Sequence, residues 1–139
     1  MARRILLDTG PLVAYLNARD RYHEWARRQL VTMVTPLATC EAVLTEASFL
    51  LGRSGARTVL DLVSRGVFFF PLDVAAEAPA LHRLLARYED QPMSFADACL
   101  VRWSEMFEDS VVFTLDRDFE VYRRLGRMSI PTISPLSWR

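Results

Sequence analysis

Ile5-Leu6-Leu7-Asp8-Thr9-Gly10-Pro11 joins a β-prone run to the start of a helical pattern, with an acid at the joint. The helical spacing continues over residues 12–17, and Pro11 stands in a first turn, where its missing N–H does no harm. A strand that passes directly into a helix opens a βα unit, and the same alternation recurs outward along the chain. Residues 36–39 are short and strand-like, residues 67–70 (Val-Phe-Phe-Phe) and 111–115 read as buried strands, and residues 130–133 form a weak last strand. Continuous apolar runs of this length mark parallel strands covered on both faces, and Pro131 puts the last one at a sheet edge. Helical patterns fill the intervals at residues 22–33, 40–51, 56–65, 74–88, 94–107 and 117–125. Gly52 with Gly55 is expected to close the helix at 40–51 and Gly66 the one at 56–65, while Pro79 should mark a first turn or a kink. Strands alternating with helices predict an α/β fold: a three-layer α/β/α domain around a central, mostly parallel sheet.

At 139 residues, with no repeat, low-complexity segment or linker, residues 1–139 are expected to form a single domain. No stretch approaches the roughly 18 apolar residues of a membrane span, and the N-terminal apolar run is too short for a signal peptide. Cys40 and Cys99 do not make a disulfide framework; both read as small buried apolar residues, which points to a reducing cytoplasm. Seventeen cationic residues balance seventeen acids, so a globally basic nucleic-acid binder is not indicated. Every one of those cations is arginine, which excludes lysine-amine chemistry and leaves a side chain suited to bidentate phosphate contacts. Arg19, Arg21, Arg53 and Arg57 lie on polar faces or loops and are candidates for such contacts or ordinary surface charge.

Four acids stand in apolar settings: Asp8 in ILLDTGP, Glu46 in AVLTEASFLL, Asp97 in SFADACL and Asp116 in VVFTLDRDF. An ionised carboxylate in such a setting is unfavourable unless something cationic or hydrogen-bonding offsets it. Three have a purely structural alternative. Asp8 and Asp116 each follow a strand and could cap the next helix, and Asp97 with Ser94 fits a capping box. Asp118 could add charge to a first turn. Glu46 falls mid-helix, on a face with Ala42, Val43, Phe49 and Leu50, so it should point toward the core; its structural alternative is a buried ion pair with an arginine. A parallel sheet can bring all four to one edge, where the carboxylates would repel unless divalent cations stood between them. Hard oxygen ligands select Mg²⁺ or Mn²⁺, whereas His23 and His82 are too isolated to build a zinc site. Thr9, Ser94 and Thr114 neighbour the acids and could orient ligands or water.

The ordered set Leu7-Asp8-Thr9, Thr45-Glu46-Ala47, Ser94-Phe95-Ala96-Asp97-Ala98 and Thr114-Leu115-Asp116-Arg117-Asp118-Phe119 resembles the motifs of the PIN-domain family. The likeness runs from Ile5 to about Ile133, and small single-domain members of this kind resemble VapC toxins. That resemblance implies a PIN-like fold and a metal-dependent ribonuclease acting on RNA, held inactive by a small antitoxin and commonly a homodimer. It implies Asp8, Glu46, Asp97 and Asp116 as catalytic and metal-binding residues, with Asp118 as a supplement to the fourth acid. Two competing Mg²⁺ enzyme classes fit less well. Haloacid-dehalogenase-like phosphatases need a second aspartate where Gly10 stands, and receiver domains need a lysine this chain lacks. A catalytically inactive RNA- or protein-binding module has no need of all four acids.

Overall fold

The computed structural model describes residues 3–135. The chain opens with β1 (Arg4–Leu7), α1 (Thr9–Leu16), α2 (His23–Leu30), β2 (Leu37–Ala38), α3 (Glu41–Leu50) and α4 (Gly55–Ser64). It continues with β3 (Phe68–Phe69), α5 (Val74–Arg87), α6 (Phe95–Met106) and β4 (Ser110–Phe113). A 3-10 turn (Arg117–Glu120), β5 (Arg123–Arg124), β6 (Met128–Ser129) and β7 (Thr132–Ile133) complete it.

Five strands form one sheet in the order β3-β2-β1-β4-β7, and each pairing within it is parallel. The chain steps outward from β1 through β2 to β3, then crosses to the far side of β1 to lay down β4. Because such crossovers are right-handed, the reversal puts α1 to α4 on one face of the sheet and α5 with α6 on the other. The predicted three-layer architecture is therefore what the chain adopts. β7 takes the edge position expected from Pro131. Leu6, Leu7, Val112 and Phe113 are almost wholly buried at the centre, and Trp25 of α2 packs on Phe113 with ring centroids 5.3 Å apart. Cys40 and Cys99 are buried and unbridged, as their apolar surroundings suggest. Among the described residues no helix is long and apolar enough to cross a membrane.

Three local expectations change. Only Arg117–Glu120 are helical, as a 3-10 turn; residues 117–125 are not one helix. Phe119 and Tyr122 are both buried at a spacing that imitates one, but Leu125 and Gly126 have positive φ (54° and 76°) and turn the chain into the antiparallel β5–β6 ribbon. The Arg123 guanidinium donates to the carbonyls of Glu120, Val121 and Tyr122, which closes the 3-10 turn instead of extending it. Gly55 does not close α3 but begins α4: a Cβ there would run into the Ser48 carbonyl, so its absence lets the two helices meet. Pro79 sits inside α5, which excludes the first of its two expected roles, a first turn, and leaves the other.

Candidate active site

The order of strands reverses at β1 and β4, and the space beyond their carboxyl ends is where open α/β sheets bind ligands. Leu7 pairs with Phe113, so Asp8 and Thr114 leave the sheet side by side. The Asp8 N–H donates to the Phe113 carbonyl at 3.0 Å, and the Thr114 hydroxyl donates to Asp8 Oδ2 at 2.6 Å. Asp8 Oδ1 accepts from the Thr9 N–H at 2.8 Å, so the same carboxylate caps α1. Gly10 allows this closeness, because a Cβ there would lie 2.9 Å from Leu115 Cβ.

A cavity of about 600 Å³ opens at this point, lined by Asp8, Glu46, Asp97 and Asp116 together with Thr9, Gly10, Ser94, Leu115 and Arg117. Four elements deliver the four acids. Asp8 ends β1, Glu46 comes from α3, Asp97 from the first turn of α6, and Asp116 from the segment after β4. Both structural and convergent readings of the aspartates hold at once. The Ser94–Asp97 capping box is complete, with Ser94 Oγ accepting from the Asp97 N–H at 3.0 Å and Asp97 Oδ2 accepting from the Ser94 N–H at 3.2 Å. Asp116 Oδ1 accepts from the Asp118 N–H at 2.8 Å and caps the 3-10 turn. Capping does not compete with convergence here; it sets the direction in which each carboxylate faces.

Glu46 differs from expectation. The buried face of α3 centres on Val43 and Ala47, which leaves Glu46 half-buried at its flank and Phe49 (84% exposed) and Leu50 (62% exposed) outside the core. Both lie instead on the cavity rim. The partner of Glu46 is the Thr9 hydroxyl at 2.6 Å, and among the described residues no arginine pairs with it. Asp118 is not among the cavity-lining residues, so Asp116 is the acid that faces in. Arg19, Arg21, Arg53 and Arg57 are exposed and are not among the lining residues; among the described residues Arg117 is the arginine that lines the cavity, a role its sequence position did not announce.

Tyr122 is a second residue that the sequence left unassigned. It is wholly buried and its hydroxyl donates to Asp97 Oδ2 at 3.0 Å. Its spacing of three from Phe119 is a signal of a shared buried face, but not of a contact with Asp97. Thr114, also wholly buried, links two acids, since its oxygen accepts from the Asp116 N–H at 2.9 Å while donating to Asp8.

Electrostatically the site is under tension. Burial pushes the Asp8 carboxyl up to about 7, against the lowering effect of hydrogen bonds from Thr114 and Thr9; the charges of Asp97 and Asp116 add to the rise. Asp97 is pushed up to about 6, again by burial first, with Ser94 and Tyr122 pulling it down and Asp116 pushing it up. Desolvation thus outweighs repulsion between the carboxylates as the cause. The donor set is oxygen throughout, carboxylates and hydroxyls, the chemistry of a hard cation. Among the described residues no group of three or more His, Cys, Asp or Glu side chains is drawn together into a ready-made metal cage. Mg²⁺ does not require one, because it keeps several waters and binds through one or two carboxylates.

Comparison with known proteins bears on the fold and the family of the chain. Ribonuclease VapC26 of Mycobacterium tuberculosis is 26% identical over 127 residues, spanning 88% of this chain and 94% of that relative. The crystal structure of Mycobacterium tuberculosis VapC20, a Sarcin-Ricin loop cleaving toxin, superposes with a TM-score of 0.75 at 23% identity and covers 91% of this chain and 98% of its own. Residues 5–125 match the PIN domain, a span that includes the four acids and Tyr122, and the chain belongs to the PIN domain family.

Proposed function

We propose that the chain is a Mg²⁺- or Mn²⁺-dependent endoribonuclease, hydrolysing RNA phosphodiester bonds as the toxin of a type II toxin–antitoxin pair. The observation that carries this reading is the convergence of Asp8, Glu46, Asp97 and Asp116 from four separate elements on one open cavity. Two of them, Asp8 and Asp97, are held well above the ordinary carboxylate range by burial, a cost that a bound cation offsets. The ribonuclease name of the 26% identical relative supports the reaction class.

Asp8 and Asp97 would hold the ion, with Glu46 and Asp116 completing the acidic lining. When bound, a divalent cation polarises phosphate oxygens and lowers the pKa of a bound water. The chain's own residues do the rest. Thr114 and Thr9 N–H hold the Asp8 carboxylate, the Thr9 hydroxyl holds Glu46, and the Asp118 N–H holds Asp116. Arg117, one of the cavity-lining residues, is the arginine to which this reading assigns a phosphate contact. The same reading includes a small antitoxin partner and a homodimer; the exposed Phe49 and Leu50 on the cavity rim supply apolar surface for contacts of that kind. It also includes a cytoplasmic location, which the unbridged Cys40 and Cys99 suit.

The test is incubation of purified protein with total RNA in Mg²⁺ or Mn²⁺, with EDTA and with the Asp8→Asn and Asp97→Asn variants. Cleavage should require the metal and fall at least about 100-fold in each variant, with circular dichroism unchanged. Full activity in either folded variant would sink the proposal.

A further inference from the structure

The Asp97 carboxylate is held unevenly. Its Oδ2 accepts both the Ser94 N–H and the Tyr122 hydroxyl, at 3.2 and 3.0 Å. Among the described residues its Oδ1 accepts nothing, although Asp97 lines the cavity. Asp8 is different, for both of its oxygens are engaged. An aspartate side chain turns readily about its last torsion, which has broad, roughly two-fold preferences, so only its partners can decide which oxygen faces the cavity.

Tyr122 is built to make that decision. Its ring is wholly buried between Phe119, edge-on at a centroid distance of 5.3 Å, and Tyr88, edge-on at 5.1 Å. Tyr88 is fixed in turn, because its hydroxyl oxygen accepts the Arg123 N–H at 2.9 Å and so ties α5 to the β5 strand. A ring clamped on both edges cannot swing its hydroxyl elsewhere. The Ser94 N–H alone would leave the carboxylate one tether about which to rotate; a second donor to the same oxygen removes that freedom.

We propose that Tyr122 is a positioning residue for divalent-cation binding: its hydroxyl, acting with the Ser94 N–H, reserves Asp97 Oδ2 and leaves Oδ1 as the ligand oxygen. This rests on the reading of the acids as a cation site. Partners of this kind typically contribute 10–100-fold to metal affinity or activity.

The experiment measures Mn²⁺ binding, by the electron paramagnetic resonance of free Mn²⁺ and by calorimetry, on wild type, Tyr122→Phe, Asp97→Asn and the double variant. Tyr122→Phe removes one oxygen and keeps the ring. It should weaken Mn²⁺ binding about tenfold, with RNA cleavage recovering toward the wild-type rate at saturating Mn²⁺. In the Asp97→Asn background it should have no further effect, since the two residues act through one ligand. Wild-type affinity in Tyr122→Phe overturns the proposal, as does an equal loss in both backgrounds, which would mean a general effect on the fold. Failure of wild type to bind Mn²⁺ at all overturns the metal reading itself. If Tyr122→Phe does not fold, Phe119→Leu loosens the clamp while keeping the hydroxyl; unchanged Mn²⁺ binding there overturns the proposal.

Discussion

Asp8 combines burial, two hydrogen bonds and two like-charged neighbours, and its titration follows from that combination. The folded-state value of about 7 lies above the ordinary 3.8, so between those two pH values the folded chain keeps a proton that the unfolded chain has lost. Asp97, at about 6, acts in the same direction. Stability of the metal-free protein should therefore be greatest near pH 4 as far as these groups are concerned. It should fall as pH rises toward 7, by on the order of a few kcal/mol. Thermal melts in EDTA across pH 4.5–7.5 measure it; a Tm flat or rising over that interval contradicts the assignment. Thr114 is the residue whose loss should tell most. Thr114→Val deletes a buried donor to Asp8 and an acceptor for the Asp116 N–H, and about 2–3 kcal/mol of stability should go with them in urea denaturation. Of these features the acids and Thr114 were visible in the sequence. The partner of Glu46 was not, because a hydroxyl thirty-seven positions away leaves no local pattern.

At the scale of elements, most strands and helices were legible because each carries its own signal. β1 and β4 are apolar runs, α6 begins at a capping box, and α1 begins at an aspartate with proline in the first turn. The misread segments are those where side-chain spacing and backbone dihedrals disagree. Phe119 and Tyr122 look helical, yet positive φ at Leu125 and Gly126 imposes a reversal that spacing does not record. Similarly, the buried face of α3 is only as wide as its neighbours make it, so Phe49 and Leu50 stayed in solvent despite their apolarity. Gly10 ties two elements together, since α1 approaches the segment after β4 to within the space of one methyl group. Gly10→Ala should therefore destabilise the fold by about 1–3 kcal/mol and displace Leu115 and Asp116, lowering RNA cleavage beyond what the stability loss explains. Denaturation midpoints and cleavage rates measured below the melting transition separate the two effects; a variant equal to wild type in both would refute the close-packing argument.

For the whole molecule, the reversal of strand order between β1 and β4 opens the space in which four acids scattered along the chain come to line one cavity. If that site binds a divalent cation, binding belongs to the folded state alone, because the unfolded chain holds the acids far apart. Mn²⁺ at about 100 times its dissociation constant should then add about 2.7 kcal/mol to stability near pH 7, and Asp8→Asn should remove most of that gain. Melting curves with and without Mn²⁺ read this directly, and an Mn²⁺-independent Tm in wild type would count against the site. The sequence by itself determined the alternation of strands and helices, the parallel sheet and the identity of the acids, because each is written in local periodicity, capping and composition. Only the tertiary structure decided that Asp116 rather than Asp118 faces the cavity, that Glu46 answers to Thr9, and that Tyr122 holds Asp97. Those facts depend on where distant segments meet, and that is settled by packing across the sheet rather than by any stretch of neighbouring residues.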